Sequence, residues 1–363
     1  MKRRALRLAV ALLLGHGVLL SPAVAGQDGA APDPVAAARS EAVEASVAAG
    51  VAYLMSRQNA DGSISPEETH ATALTSLAVL AMIGVGHQLT DPTPEGEALR
   101  KAVGFLLRED RQEDNGYFGQ RDGSRMYGHG ITTLLLGELL GMGVDAEQDA
   151  LIRRKLVRAV DLILRSQREE KYGNGLYEGG WRYTPNARDA DLSITVWQVM
   201  ALRSALAAGV EVPASAVDEA VEYLRRSFSP IRGGDAPMGR FGYQPRRSFG
   251  YATTAAGLLA MQVCGRYDAP EVEAAANWLM AHRLDPSETW FFYGTYYYAQ
   301  GLYQRGGLVA ETARARVENT LLPIQHENGS WSGSGVAQER VYATSMALLS
   351  LSVRYHYLPI YQR

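Results

Sequence analysis

From residue 43 to the C-terminus the chain alternates between two kinds of apolar stretch. The first kind spaces its apolar residues three and four apart, as in Val47, Val51 and Leu54 or Val217, Val221 and Leu224, with Arg and Glu on the other side. That spacing predicts helices buried along one face, over 43–56, 97–107, 152–166, 216–226, 271–282 and 313–322. The second kind is apolar nearly all round, as in Leu74-Thr75-Ser76-Leu77-Ala78-Val79-Leu80-Ala81-Met82, and predicts fully buried helices. These cover 71–84, 130–142, 193–208, 252–263, 294–303 and 343–353. A Gly- and aromatic-rich turn joins each half-buried helix to the buried one that follows, so the chain reads as six repeats of roughly 56 residues.

Helical hairpins of this kind stack either into an open solenoid or into a ring. A solenoid normally ends in polar capping repeats, whereas here the first and last units are as apolar as the middle ones. The expected fold is therefore all-α, an (α/α)6 toroid over residues 43–363, with the amphipathic helices outside and the apolar ones inside.

The N-terminus follows a different pattern. Lys2, Arg3 and Arg4 lead into an apolar run from Leu6 to Leu20, and Ala23-Val24-Ala25 closes it before Gly26. This reads as a signal peptide over 1–25 followed by a linker over 26–42, which predicts export to the periplasm or the medium. Membrane contact is then expected only if that segment stays uncleaved. Without Lys2, Arg3, Arg4 and Arg7, 32 basic residues face 39 acidic ones, so bulk electrostatics does not favour nucleic acid. Cys264 is the single thiol, so no internal disulfide forms, and its apolar setting marks it as an inert core residue.

The turn Gln325-His326-Glu327-Asn328-Gly329-Ser330-Trp331 resembles the Gln-Trp repeat of terpenoid cyclases (squalene-hopene cyclase type) and prenyltransferase β-subunits. Gln58-Asn59-Ala60-Asp61-Gly62-Ser63 is the same turn without its Trp. Asp114-Asn115-Gly116-Tyr117-Phe118-Gly119 and Glu178-Gly179-Gly180-Trp181 are weaker copies. The resemblance spans about residues 43–353 and implies an α/α barrel of six hairpins, though not an activity. Gln58, Gln325 and Trp331 read as stitches between hairpins.

The buried helices begin with similar groups: His70-Ala71-Thr72, His129-Gly130-Ile131-Thr132, Ser193-Ile194-Thr195, Tyr251-Ala252-Thr253, Tyr293-Gly294-Thr295 and Tyr342-Ala343-Thr344. In a closed ring the leading residues His70, His129, Ser193, Tyr251, Tyr293 and Tyr342 converge on one mouth. Glu68, Tyr127, Asp191, Phe249, Phe291 and Arg340 stand two residues earlier. The expectation is a central aromatic cavity, rimmed by six helix N-termini, that takes a small molecule.

Several chemistries fit such a ring. Asp189-Ala190-Asp191-Leu192-Ser193 resembles the Asp-x-Asp-Asp-Thr motif of squalene-hopene cyclases, which implies Asp191 as proton donor, Asp189 beside it and an apolar, isoprenoid ligand. Leu192 stands where that motif has its third Asp. The zinc motif of the prenyltransferases is absent, because Cys264 has no Asp two residues before it. His70, His129 and Glu68 lack local ligand spacing, so neither metal nor cofactor is expected. Polysaccharide cleavage is the alternative, with Tyr251, Tyr342, His129 and Arg340 suited to a lyase and Glu68 with Asp191 to a hydrolase. A non-catalytic module also fits, with the long turns 171–188 and 229–247, rich in Tyr, Arg and Gly, available to a protein partner.

Overall fold

The computed structural model describes residues 34–333, 339–355, 357–358 and 360, with the side chains of 34–36 left out. The signal segment expected over 1–25 lies outside the described residues. Residues Ser40–Arg363 form one compact body, and among the described residues no helix is long and apolar enough to cross a membrane.

Among the described residues twelve α-helices alternate between two layers. The outer helices are α1 (Pro34–Ser56), α3 (Pro94–Leu107), α5 (Ala146–Gln167), α7 (Ala214–Ser227), α9 (Pro270–Ala281) and α11 (Gly307–Leu321). The inner ones are α2 (Ala71–Gly84), α4 (Arg125–Leu139), α6 (Leu192–Ala207), α8 (Tyr251–Val263), α10 (Phe291–Tyr303) and α12 (Arg340–Leu351). Each inner helix packs on the next, and α12 packs on α2, so the ring is closed. The (α/α)6 toroid expected from the pattern is the observed fold. Helix α1 starts nine residues before the predicted Val43, inside the stretch expected to be linker.

Small residues set the spacing of the inner ring. A Cβ on Gly130 or Gly137 of α4 would lie 2.6 Å from the amide nitrogen of Gln198 or 2.3 Å from the hydroxyl of Ser204, both on α6. Any larger residue at either position would push the two helices apart.

Four glutamines stitch the outer ring in one repeated geometry. The side-chain amide of Gln58 donates to Gly62 O (3.1 Å) and Ala98 O (2.8 Å), and that of Gln112 to Gly116 O (3.0 Å) and Lys155 O (2.9 Å). Gln167 donates to Gly179 O (3.1 Å) and Ala216 O (2.8 Å), and Gln325 to Gly329 O (2.9 Å) and Ser46 O (2.9 Å). In each case the first carbonyl belongs to the glutamine's own turn and the second to the next outer helix. For Gln325 that next helix is α1, so the last hairpin is bonded to the first. Gln112 and Gln167 extend the pair of stitches expected from sequence to four.

The turn glycines obey the same rule. Gly62, Gly116, Gly179 and Gly329 have φ of +94°, +94°, +79° and +82°, and a Cβ on any of them would fall 2.1–2.3 Å from a backbone carbonyl of the neighbouring outer helix. Two residues on, Ile64, Phe118, Trp181 and Trp331 are buried between the layers.

The fourth hairpin departs from the all-helical expectation. Its turn, expected to be a long loop over 229–247, is a three-stranded antiparallel sheet: β1 (Phe228–Ile231), β2 (Met238–Gln244) and β3 (Arg247–Phe249). Short strands fit here because Gly239 admits the Phe228 ring, which a Cβ would meet at 2.2 Å.

Candidate functional site

The residues expected to converge do so only in part, because the register assumed for three inner helices is shifted. The turns identify the true register: Ile64, Trp181, Phe241 and Trp331 donate their backbone N–H to the hydroxyls of Thr75, Thr195, Thr254 and Thr344. In the second hairpin Phe118 N–H uses His129 Nδ1 instead, at 3.3 Å. The equivalent positions are therefore Thr75, His129 and Thr254, where the sequence reading aligned Thr72, Thr132 and Thr253.

This moves several expected cavity residues elsewhere. His129 is fully buried, with Nε2 on Ala159 O at 3.1 Å, and joins its turn to α5. Tyr251 is buried outside the mouth, stacked on His282 at 5.0 Å and lying over Gly294. Glu68 and His70 are exposed at the start of α2, His70 with φ of 60°. Arg340 is exposed and bonds Ser330 Oγ at 2.8 Å, steadying the last turn. Phe249 lies in β3 beneath the Arg240 guanidinium, and Phe291 is buried against Phe292.

The remaining expected residues, Asp189, Asp191, Ser193, Tyr127, Tyr293 and Tyr342, form the centre of the mouth. Asp191 is fully buried as the N-cap of α6. Its Oδ1 accepts from Ser193 Oγ (2.6 Å) and Ile194 N (3.0 Å), and its Oδ2 from Arg182 Nη1 (2.9 Å) and the Tyr243 hydroxyl (3.2 Å). Burial raises the proton affinity of Asp191, while those four donors act in the opposite sense. Asp189 stands 3.4 Å from the Nε of the same Arg182, so two carboxylates share one guanidinium.

The contacts extend outward from Asp191 on both sides. Tyr127 bonds Ser193 Oγ at 2.5 Å, and Tyr293 donates to Ser193 O at 3.2 Å. On the other side the Tyr183 and Tyr243 hydroxyls bond each other, and the Arg182 guanidinium lies over both rings at 4.6 and 5.5 Å. Burial holds the phenols of Tyr127, Tyr243, Tyr293 and Tyr342 well above their ordinary range, so they remain neutral. Arg182, Tyr183 and Tyr243 are absent from the sequence-based set. They come from the two long turns noted there for their Tyr and Arg content.

Beneath this layer the bore is filled. Trp197 of α6 stacks on Tyr296 (5.9 Å) and meets Tyr297 edge-on (5.8 Å), both on α10, and Tyr297 packs on Tyr293 at 4.7 Å. Helix α8 separates α6 from α10 in the ring, so these contacts cross the bore. The aromatics expected to line a deep hollow pack on one another instead, and the accessible surface is the shallow mouth, where Tyr127, Arg182, Tyr183, Tyr243, Tyr293 and Tyr342 are half-buried.

Among the described residues no three His, Cys, Asp or Glu side chains stand close enough to hold a metal. Cys264 is buried, and burial pushes its thiol up to about 12.

His129 carries a prediction about acid stability. Burial pushes its pKa down to about 3, whereas the unfolded chain takes up that proton near pH 6.5. The neutral imidazole contributes stability in full above pH 6.5, and the contribution is lost as pH falls towards 3. Melting curves from pH 7 to 4 are expected to lose about 3 kcal/mol through this residue, at roughly 1.4 kcal/mol for each pH unit below 6.5. Buried Glu138, raised to about 7, acts in the opposite sense as pH rises from 4.5, so His129→Gln is the necessary comparison. An acid limb unchanged by that substitution contradicts the assignment.

No protein-family model matches this chain, and no curated protein matches it. Among solved structures it is similar to the type II terpene cyclase MstE from Scytonema in complex with geranylgeranyl dihydroxybenzoate. That match has a TM-score of 0.53 and 16% identity over 88% of this chain and 98% of the other. It is also similar to the α-1,6-mannanase GH76A of Salegentibacter sp. HEL1_6, with TM-score 0.59 and 8% identity over 87% and 98% of the two chains. A third is the unsaturated glucuronyl hydrolase of Bacillus sp. GL1, with TM-score 0.55 and 12% identity over 88% and 97%. These likenesses show the fold, an α/α toroid, which a terpene cyclase and glycan-acting enzymes share.

Proposed function

We propose that the mouth of the toroid binds a neutral, hydroxyl-rich ligand of the oligosaccharide class, in an exported protein. The observation that carries this reading is the polar layer above the filled bore. Tyr127, Tyr183 and Tyr243 offer neutral hydroxyls and ring faces, and the charge of Arg182 is already met by Asp191 and Asp189. Such a surface suits hydroxyl groups and sugar faces more than a uronate or phosphate, which needs an uncompensated cation. Asp191 has all its near donors within the protein, so it organises Arg182 and Tyr243 and leaves the contact to them. The basic, apolar and small-residue order of 1–25 supports export.

A second reading, cyclisation of an isoprenoid, is favoured by one observation: the raised proton affinity of Asp191 at the start of the third inner helix. The filled bore weighs against it, because a polyene needs an apolar chamber.

Calorimetric titration with neutral gluco- and manno-oligosaccharides, oligouronates and a polyprenyl alcohol, with product analysis after incubation with squalene, separates the two. Binding of neutral oligosaccharides alone is expected, weakened roughly tenfold in Tyr243→Phe by loss of one hydrogen bond of about 1–1.5 kcal/mol. Retention of the polyprenyl alcohol, or a cyclised product, overturns the proposal in favour of the second reading.

A further inference from the structure

The ring has a second end, opposite the mouth, where the inner helices finish. After α12 the chain makes a single tight turn, Ser352–Arg354, and passes over the end of α2 to reach α4. Tyr357 lies against Gly86, where a Cβ would meet its ring at 2.7 Å, and Leu358 lies against Gly84, where a Cβ would meet its side chain at 3.4 Å. Leu358 and Ile360 are buried, whereas Tyr357 stays exposed.

At Ile360 this tail meets a buried carboxyl. Glu138, in the last turn of α4, is 2% exposed. Its Oε1 accepts from Ser204 Oγ of α6 at 2.6 Å, and its Oε2 accepts from the backbone N–H of Ile360 at 3.2 Å. The other titratable groups on the same small cavity, of about 70 Å³, are His87, from the segment after α2, and the Tyr357 phenol of the tail. Among the described residues no cation opposes the cost of burying Glu138. A carboxylate buried without a cation favours its neutral form. Burial accordingly raises Glu138 to about 7, against the opposing pull of Ser204 and the Ile360 N–H. Leu358 and Ile360 supply part of that burial, so lifting the tail lets water in and returns the carboxyl towards about 4.3.

We propose that the C-terminal tail is a proton-operated latch on the end of the ring opposite the mouth, docked on Glu138 while that carboxyl is neutral and released when it ionises. Docking and protonation favour each other, because the docked tail keeps water from the carboxyl. Docking is therefore strongest at a pH below the ordinary Glu value, weakens as pH rises towards 7, and changes no further above it. Within that interval the docking equilibrium falls by up to about tenfold per pH unit. Release uncovers Glu138 and Gly86 at the far end of the ring, so the latch does not depend on the ligand reading given to the mouth.

The test follows backbone hydrogen exchange by NMR in the full chain with labelled isoleucine, from about pH 5 to about pH 8, each rate being referred to that of an unfolded peptide at the same pH. The Ile360 amide reports the tail, and the Ile131 amide, inside α4, reports the ring. Ile360 is expected to be less protected than Ile131 throughout, because the tail leaves without the ring unfolding, and to lose about tenfold or more of its protection over this range. Glu138→Gln cannot ionise but keeps an acceptor for Ile360 N–H, so it should flatten the Ile360 profile, while His87→Gln should leave it unchanged. A flat wild-type profile, equal protection of the two amides, a fall that survives Glu138→Gln, or one that disappears in His87→Gln overturns the proposal. The comparison of two amides within the wild-type chain holds whether or not either variant folds.

Discussion

Gly329→Ala is expected to lower the melting temperature by about 10 °C, corresponding to a loss of about 3–5 kcal/mol at 2–4 °C per kcal/mol. Gly329 sits at φ +82° in the turn that joins the last hairpin to the first, and its Cβ would lie 2.2 Å from Ala49 O on α1. An L-residue in that conformation costs roughly 1–2 kcal/mol by itself. The overlap costs more, because the obstructing atom is backbone and the turn must lift away from α1. Lifting it weakens both bonds of the Gln325 amide, each contributing about 0.5–1.5 kcal/mol, and loosens Trp331, whose indole donates to Leu321 O at 2.9 Å. Gly123→Ala separates conformation from contact. Gly123 also has positive φ, +71°, but a Cβ there meets nothing within 4 Å, so only the conformational cost applies. Equal melting temperatures for the two variants in calorimetry would mean that the last turn is not a closing joint.

The second large effect is at Asp191. Asp191→Asn keeps a side-chain oxygen for Ile194 N–H, so the N-cap survives, but it removes the charge that faces Arg182. Breaking a buried ion pair costs about 3–5 kcal/mol. Arg182 retains Asp189 and about a fifth of its surface in water, so a loss at or just below the bottom of that range, about 2–3 kcal/mol, is expected here. The larger consequence is for the ligand, because Arg182 and Tyr243 lose the atom that fixes them both. Oligosaccharide binding should fall below detection in titration while the far-ultraviolet spectrum keeps its helical content. Asp189→Asn is the control, since its pair with Arg182 is long and partly exposed and so contributes less than about 1 kcal/mol. Full binding by Asp191→Asn would remove Asp191 from the account.

The helical repeat was legible because burial imposes periodicity. Half-buried outer helices must alternate apolar and polar faces, and inner helices enclosed on all sides must not, so layer and fold follow from spacing. The stitches were half legible. Gln112 lies four residues before Gly116, the same interval as Gln58 to Gly62 and Gln325 to Gly329, and that interval was a usable signal. Gln167 is twelve residues from Gly179, because an inserted turn separates partners that the fold brings together.

Register was the weakest link in reading the site. Thr recurs near the start of every inner helix, and alignment on the nearest one slid three of them along their axes. His70, His129 and Tyr251 were carried to the mouth as a result. The hydrogen bond that fixes register runs from the preceding turn to Thr75, Thr195, Thr254 or Thr344, and nothing in residue spacing marks which Thr receives it. Asp191 was found because its own helix was aligned correctly. Arg182 and Tyr243 were missed because a twisted turn and a sheet, neither of them periodic, deliver them.

The central claim is closure, since the mouth exists only if the first and last hairpins meet. Ala48→Cys and Glu327→Cys, in a chain with Cys264→Ala, place thiols at two exposed positions beside the contact of Ala49 with Gly329. Treatment of dilute protein with a short bismaleimide should join them within one chain, giving a species that migrates faster on denaturing gels in near-quantitative yield. Recovery of only singly modified monomer or cross-linked dimer would show the two ends apart, and there would be no common mouth for Asp191, Tyr293 and Tyr342 to share.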